Sequence, residues 1–196
     1  MILISEQTMP AAQAAPAYGI VAERASDAVP RVALLDRAMG AARKRKASEK
    51  LRRGRRPSEG LAFVARTSEG AVVGTVRLWD VAAGDDGRAA LLLGPLAVEP
   101  GLKGGGVGSA LMRHATEEAA RLGHRAILLV GDPAYYGRFG FSAEKTGSLF
   151  MPGPFERHRL LALELVPGTL DGALGVLAAT GRRTERSCPQ GRRAAA

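Results

Sequence analysis

One cysteine, three histidines, few aromatic residues and no long apolar run define what this 196-residue chain does not build. With Cys188 alone no intrachain disulfide forms, so a reducing, cytoplasmic setting is expected. His114, His124 and His158 have no metal-ligand partners at useful spacing, and no metal is expected. No apolar run approaches the roughly 18 residues that cross a bilayer. Met1 to Ile4 is too short for a signal-peptide core, lacks a basic flank and meets Glu6 at once. No membrane partner is expected.

The net charge of +9 suggests a nucleic-acid binder until it is located. Arg43 to Arg56 holds nine Lys/Arg and one acid, Glu49, a net of +8, and the tail from Arg182 contributes +4. Subtracting both from +9 leaves −3 for the rest. The body is slightly acidic and the basic character sits in two segments, with no aromatics interleaved in the first. The plainest reading of that run is a solvated face.

Along the chain, 1–17 reads as a flexible leader, 18–179 as one domain, and 180–196 as a disordered basic tail. Tyr18 to Ala22 is a short strand. Ser26 or Asp27 caps a helix with Val32, Leu35 and Met39 on one face, ended by Gly40. The basic run follows, anchored by Leu51. Leu61 to Ala65 and Ala71 to Val81 form a hairpin, and Ala89 to Val98 is the central strand. Gly94-Pro95 inside that strand predicts a bulge or a parting from a neighbour, because proline cannot donate to a ladder. Val107, Leu111, Ala115, Ala119 and Leu122 make a helical stripe. Ala126 to Val130 reads as a buried strand parallel to the central one. Asp132-Pro133 opens a short helix through Phe139, Phe141 starts another strand, Arg159 to Leu165 is a final strand, and Leu170 to Ala179 is read as a last helix. The order is mixed α/β, antiparallel in its first half, with one crossover.

The crossover carries the chemistry. A glycine-dense loop, Lys103-Gly104-Gly105-Gly106-Val107-Gly108, joins the central strand to a helix, an arrangement suited to a phosphate or pyrophosphate. A Walker A loop fails because Val107 follows the second glycine, and a dinucleotide fingerprint fails because Ser109 or Leu111 falls at its last position. The segment instead resembles the Gln/Arg-x-x-Gly-x-Gly/Ala signature of the GCN5-related N-acetyltransferases, with Lys103 in the first position. Leu96-Ala97-Val98 before it is similar to that family's central strand. Tyr136-Gly-Arg-Phe-Gly140-Phe141 after it is similar to the family's Tyr-x-x-x-Gly-Phe motif. Leu92 to Val98, Gly131 to Tyr136 and Arg138 to Phe141 resemble a small bacterial branch of predicted N-acetyltransferases. Lys103 departs from Gln/Arg, and Asp132 stands where many members carry Asn.

The resemblance implies a mostly antiparallel sheet flanked by helices, with a parted central strand pair binding acyl-CoA. It implies acetyl-CoA as co-substrate, an amine-bearing acceptor, and a monomer or homodimer. It places the cofactor on Leu96, Ala97, Val98, Lys103, Gly104, Gly105, Gly106, Val107, Gly108, Ser109 and Tyr136. Direct attack of the amine on the thioester needs a polarised carbonyl and a proton for the thiolate. An amide near Val98 fits the first need. Tyr136 fits the second, with Tyr135 the neighbouring alternative. Glu99 is the candidate base, and Asp80 a second. Two other functions stay open: acetylation of an aminoacyl-tRNA or other nucleic-acid-bound amine, from Arg43 to Arg56, and a CoA-binding sensor without catalysis.

Overall fold

Twelve residues from Val72 to Ala83 form the longest strand, β3, and four other strands lie along its two edges. The computed structural model describes residues 18–184. In chain order its elements are β1 (Tyr18–Ala22), α1 (Ala28–Met39), α2 (Ala47–Arg52), β2 (Ala62–Thr67), β3, β4 (Arg88–Leu93), β5 (Ala97–Val98) and α3 (Val107–Arg121). There follow β6 (Ala126–Val130), α4 (Pro133–Tyr136), β7 (Leu149–Phe150), β8 (Leu160–Glu164), β9 (Gly175–Val176) and β10 (Ala178–Ala179). The main sheet runs β1-β2-β3-β4-β6-β8, with β5 and β10 also on β3, and only β4 and β6 pair in parallel. This is a mixed α/β fold with a mostly antiparallel sheet flanked by helices.

Period-two alternation in the central strands splits the core. Leu78, Leu91, Leu93, Ile127 and Leu129 face α3, which contributes Val107, Leu111, Met112, Ala115 and Ala119. Trp79, Val81, Leu92 and Leu128 face the other way, under Leu51 of α2 and Leu170, Ala173 and Leu177. A Cβ on Gly74 of β3 would come within 2.8 Å of Leu111 and 3.0 Å of Val107, so the bare backbone there lets the first turns of α3 sit down on the sheet.

The central strand is two strands. Leu93 pairs with Leu78 and Ala97 with Thr75, so between these pairs two residues of β3 face three of its partner, a one-residue bulge across Gly94 to Leu96. Proline supplies no N–H here, and the Trp79 indole N–H donates to the Gly94 carbonyl at 2.6 Å. On the other side, β6 pairs with β4 at Leu91–Ile127 and Leu92–Leu128, but not with β5. The sheet therefore opens between β5 and the end of β6.

Several expectations are corrected. Leu34 and Leu35 are the buried residues of α1, while Val32 is 38% exposed; Leu122 is also exposed, and Met112 takes its place in the stripe. Phe141 is buried, but only Ser142 beside it bridges to the sheet, at Ala162. The helix expected over Leu170 to Ala179 is turns plus β9 and β10, because Gly172 and Gly175 adopt positive φ and the backbone instead pairs with β7 and β3. Main-chain pairing continues past 179: Arg56 N–H donates to Arg182 O and Thr184 N–H to Gly54 O. The leader at 1–17 and residues 185–196 lie outside the described residues. No described helix is long and apolar enough to cross a membrane.

Trp79→Phe keeps an aromatic ring but removes the indole donor and one of its fused rings, leaving the Gly94 carbonyl buried without its partner. Urea unfolding should show a loss of about 1 kcal/mol; an unchanged midpoint would show that the indole does not hold the bulge.

Candidate active site

The opening in the sheet is a cleft of about 660 Å³. Its floor is β5. Glu99 N–H donates to Val73 O at 2.9 Å, so by antiparallel alternation Ala97 also faces β3, whereas Leu96 and Val98 turn their N–H and C=O groups toward the cleft. One end is closed by the N-terminus of α3. Gly106 caps that helix in a left-handed conformation (φ 80°), which glycine adopts without a Cβ clash. The N–H groups of Val107, Gly108 and Ser109 have no partner among the described residues, as the first turn of a helix leaves them. Three orphan donors at a positive dipole end form a seat for an anion.

The opposite wall is α4. Asp132 accepts from Ala134 N–H at 3.0 Å and Pro133 occupies the first helical position, which fixes the turn that presents Tyr135 and Tyr136. A Cβ on Gly131 would fall 2.0 Å from the Tyr136 ring, so the ring occupies the space a side chain would need. Tyr136 packs on the core and makes edge contacts with Tyr135 and Phe141. Its hydroxyl has no hydrogen bond among the described residues, and its pKa is pushed up to about 12, chiefly by burial, with Tyr135 and Asp132 adding and Arg159 opposing. The Tyr135 hydroxyl reaches across to the first turn of α3, 2.9 Å from where a Cβ on Gly108 would sit.

Of the residues singled out in the sequence, Leu96, Ala97, Val98, Lys103, Gly104, Gly106, Val107, Gly108, Ser109 and Tyr136 line this one cleft. Gly105 does not; its N–H turns back to Leu102 O at 3.2 Å and is used within the loop. Glu99 does not line it either. Arg37 holds both Glu99 oxygens, with the shortest contact at 2.8 Å, and that hydrogen bond keeps the Glu99 carboxyl below the usual range. A carboxylate already satisfied by a guanidinium outside the cleft is poorly placed to take a proton from a substrate within it. Asp80 lies on the far half of β3, where its carbonyl accepts from Thr180 and Gly181, and it too is absent from the cleft wall. Neither of the two candidate bases lines the cleft wall. Among the described residues no group of three His, Cys, Asp or Glu side chains converges as a metal site.

The sequence reading missed Lys46, Arg138 and Arg159, which line the same cleft. Arg138 had a readable signal, since it lies three residues after Tyr135, in the 3-10 turn that continues α4, and stacks on that ring at 4.2 Å. Lys46 and Arg159 had none, being placed by a turn and a strand edge.

A family model for an acetyltransferase (GNAT) domain matches residues 58–143, the span from just before β2 to the end of α4 and the turn after it. The chain also superposes on the crystal structure of the GNAT family N-acetyltransferase YhbS from Escherichia coli in complex with CoA. The TM-score is 0.69 at 27% identity, over 89% of this chain and 94% of that one. These matches support the GCN5-related N-acetyltransferase family for this chain. Two further comparisons agree, the first with the same YhbS protein by sequence and the second with another protein. The uncharacterized N-acetyltransferase YhbS of Escherichia coli strain K12 is 28% identical over 117 residues, 60% of this chain and 70% of that protein. A GNAT family acetyltransferase from Brucella melitensis, solved with acetyl-CoA, gives a TM-score of 0.64 at 25% identity over 84% and 96% of the two chains. Likeness to that family indicates an acyltransferase.

Gly131→Ala should displace the Tyr136 ring without unfolding the domain. A one-ångström misplacement of a reacting group costs on the order of 100-fold in turnover, so thiol release from acetyl-CoA in the presence of an acceptor amine should fall by that order while the thermal midpoint moves little. Full activity in Gly131→Ala would separate the ring position from the chemistry.

Proposed function

We propose that this chain is an acetyl-CoA-dependent N-acetyltransferase that moves the acetyl group to an amine by direct attack. The observation that carries the reading is the convergence, in one cleft, of three orphan N–H groups of α3, the unpaired edge of β5 and the free Tyr136 hydroxyl. The chemistry of the cleft fits acyl-CoA end to end. Its pyrophosphate suits the α3 N-terminus with Lys103 beside it, and its two pantetheine amides suit the N–H and C=O groups of Leu96 and Val98, which accept an extended arm as a sheet edge accepts a strand. The crystal structures of YhbS with CoA and of the Brucella protein with acetyl-CoA support the same ligand.

When bound, acetyl-CoA supplies an activated acetyl group as a thioester. The residues of this chain orient it and handle charge. Of the two cleft-facing N–H groups of β5, the one at the bulge end donates to the thioester oxygen as negative charge builds there, and the other, with the two carbonyls, holds the arm. Tyr136 faces the sulfur. Its phenol, at about 12, holds its proton across the physiological range. Giving that proton outright to a thiolate whose thiol pKa is about 8.5 costs about 5 kcal/mol. Tyr136 therefore donates a hydrogen bond to the departing sulfur, and completes the transfer only as it receives the proton released by the acylated amine. The phenol ends each turnover as it began.

Tyr136→Phe should lower kcat on the order of 100-fold and leave acetyl-CoA affinity, measured by titration calorimetry, within about 2-fold. Because burial raises the Tyr136 pKa rather than lowering it, kcat should climb with pH as the acceptor amine loses its proton, with no descending limb up to pH ~10. Unchanged turnover in Tyr136→Phe, or a falling limb near pH ~8 that the substitution abolishes, would remove Tyr136 from this role. Binding of acetyl-CoA without transfer to any amine would favour the sensor instead.

A further inference from the structure

Behind Tyr136 the cleft opens into a second, smaller recess of about 80 Å³. The two spaces share Met39, Lys46, Leu96, Val130 and Tyr136, but the recess touches none of the glycine loop. It begins at the bulge, with Gly94 and Pro95 in its wall. On the reading proposed above, an arm anchored at α3 and laid along β5 presents its thioester at this junction. The acceptor amine then approaches from the recess.

The walls of the recess are unevenly charged. Arg52 of α2 is 9% exposed, its Nη1 lies 3.5 Å from where a Cβ on Gly94 would sit, and its Nη2 donates to Ser48 Oγ at 3.0 Å. Its Nε is buried with no hydrogen-bond partner. Its one carboxylate neighbour, Glu49, stands at 3.4 Å, a loose contact, and Glu49 lines the same recess. Arg43, also in the wall, is already held by Asp36 at 2.8 Å. Lys46 at the mouth makes no ion pair among the described residues. Arg52 and Lys46 thus outnumber Glu49. A guanidinium buried with an idle N–H is costly on its own and is the group that best matches a planar carboxylate. Leu93, Pro95 and Leu129 supply the apolar remainder of the wall.

We infer that the recess is the acceptor site and that the acceptor is an amino acid, an amine that carries its own carboxylate. Arg52 and Lys46 take the carboxylate, and Glu49, released from Arg52, faces the ammonium that must lose its proton before attack. The new N–C bond forms as the C–S bond breaks, the amine proton leaves by Glu49 or Tyr136, and the sulfur departs as the thiol of CoA. The recess has room for roughly five to eight water-sized groups, enough for the head of an α-amino acid and too little for a folded acceptor. Arg43 and Arg52 of the run from Arg43 to Arg56 turn inward, with Lys46 at the mouth, so the run is not a solvated face throughout.

The test uses the full chain, acetyl-CoA and two matched acceptor sets, the twenty L-α-amino acids and their α-carboxamides, with thiol release and mass spectrometry as readouts. At least one free amino acid should be acetylated with kcat/KM ten-fold or more above its amide. Arg52→Met should raise its KM at least ten-fold with acetyl-CoA affinity within 2-fold. Lys46→Ala, at an exposed position, should raise KM about three-fold with the fold intact. Amides acetylated as well as acids, transfer to no amino acid while acetyl-CoA binds, or Lys46→Ala and Arg52→Met both leaving KM unchanged would each overturn this assignment alone. Failure to bind acetyl-CoA at all would instead overturn the function on which it rests.

Discussion

A mismatch of one residue along β3 organises this molecule. Leu93 and Ala97 both pair with β3, yet the segment between them is one residue too long for the ladder. Proline cannot donate there, and Trp79 takes the Gly94 carbonyl that the ladder leaves over. The bulge steers β5 away from β6 while β4 stays parallel to it, so a sheet that is continuous at Leu91 and Leu92 is open a few residues later. An ordinary strand of the same length would have zipped to β6 and left no cleft. The helix that follows β5 must then start at the mouth of the opening, and its unpaired first turn points where the sheet has none of its own donors.

The cleft that results is graded in charge. At the α3 end sit orphan N–H groups and Lys103, a place for a multiply charged anion. Along β5 the polar groups are neutral backbone amides. Behind Tyr136 the charge returns with Arg52, Lys46 and Glu49. Tyr136 stands at the boundary with a buried phenol that stays neutral, and Gly131 beneath it keeps the ring in place. Such a gradient suits a long ligand with a small charged one at its reactive end.

Much of this was legible in the sequence because short-range rules fix it. Gly94-Pro95 inside an apolar strand announced a bulge or a parting, the glycine loop running into Val107 announced a helix end suited to an anion, and Asp132-Pro133 announced the turn that presents Tyr136. What was not legible depends on partners distant in the chain. Glu99 reads as a free carboxylate at a strand end, and only the fold brings Arg37 onto it. Arg52 reads as one more member of a basic run, and only the fold buries it against Gly94. The stretch from Leu170 to Ala179 has helical composition, but β3 and β7 offer it strand edges, and two glycines let the backbone take them.

The claim on which everything rests is that β5 and the first turn of α3 hold one ligand together. Amide hydrogen exchange of the full chain, with and without saturating CoA, reads it directly. Protection should rise at Val98, Val107, Gly108 and Ser109 together and stay unchanged at Ala178 and Ala179 of β10, on the far edge of β3. Exchange at the first four amides that ignores CoA, or protection gained at only one of the two elements, would contradict a shared cradle.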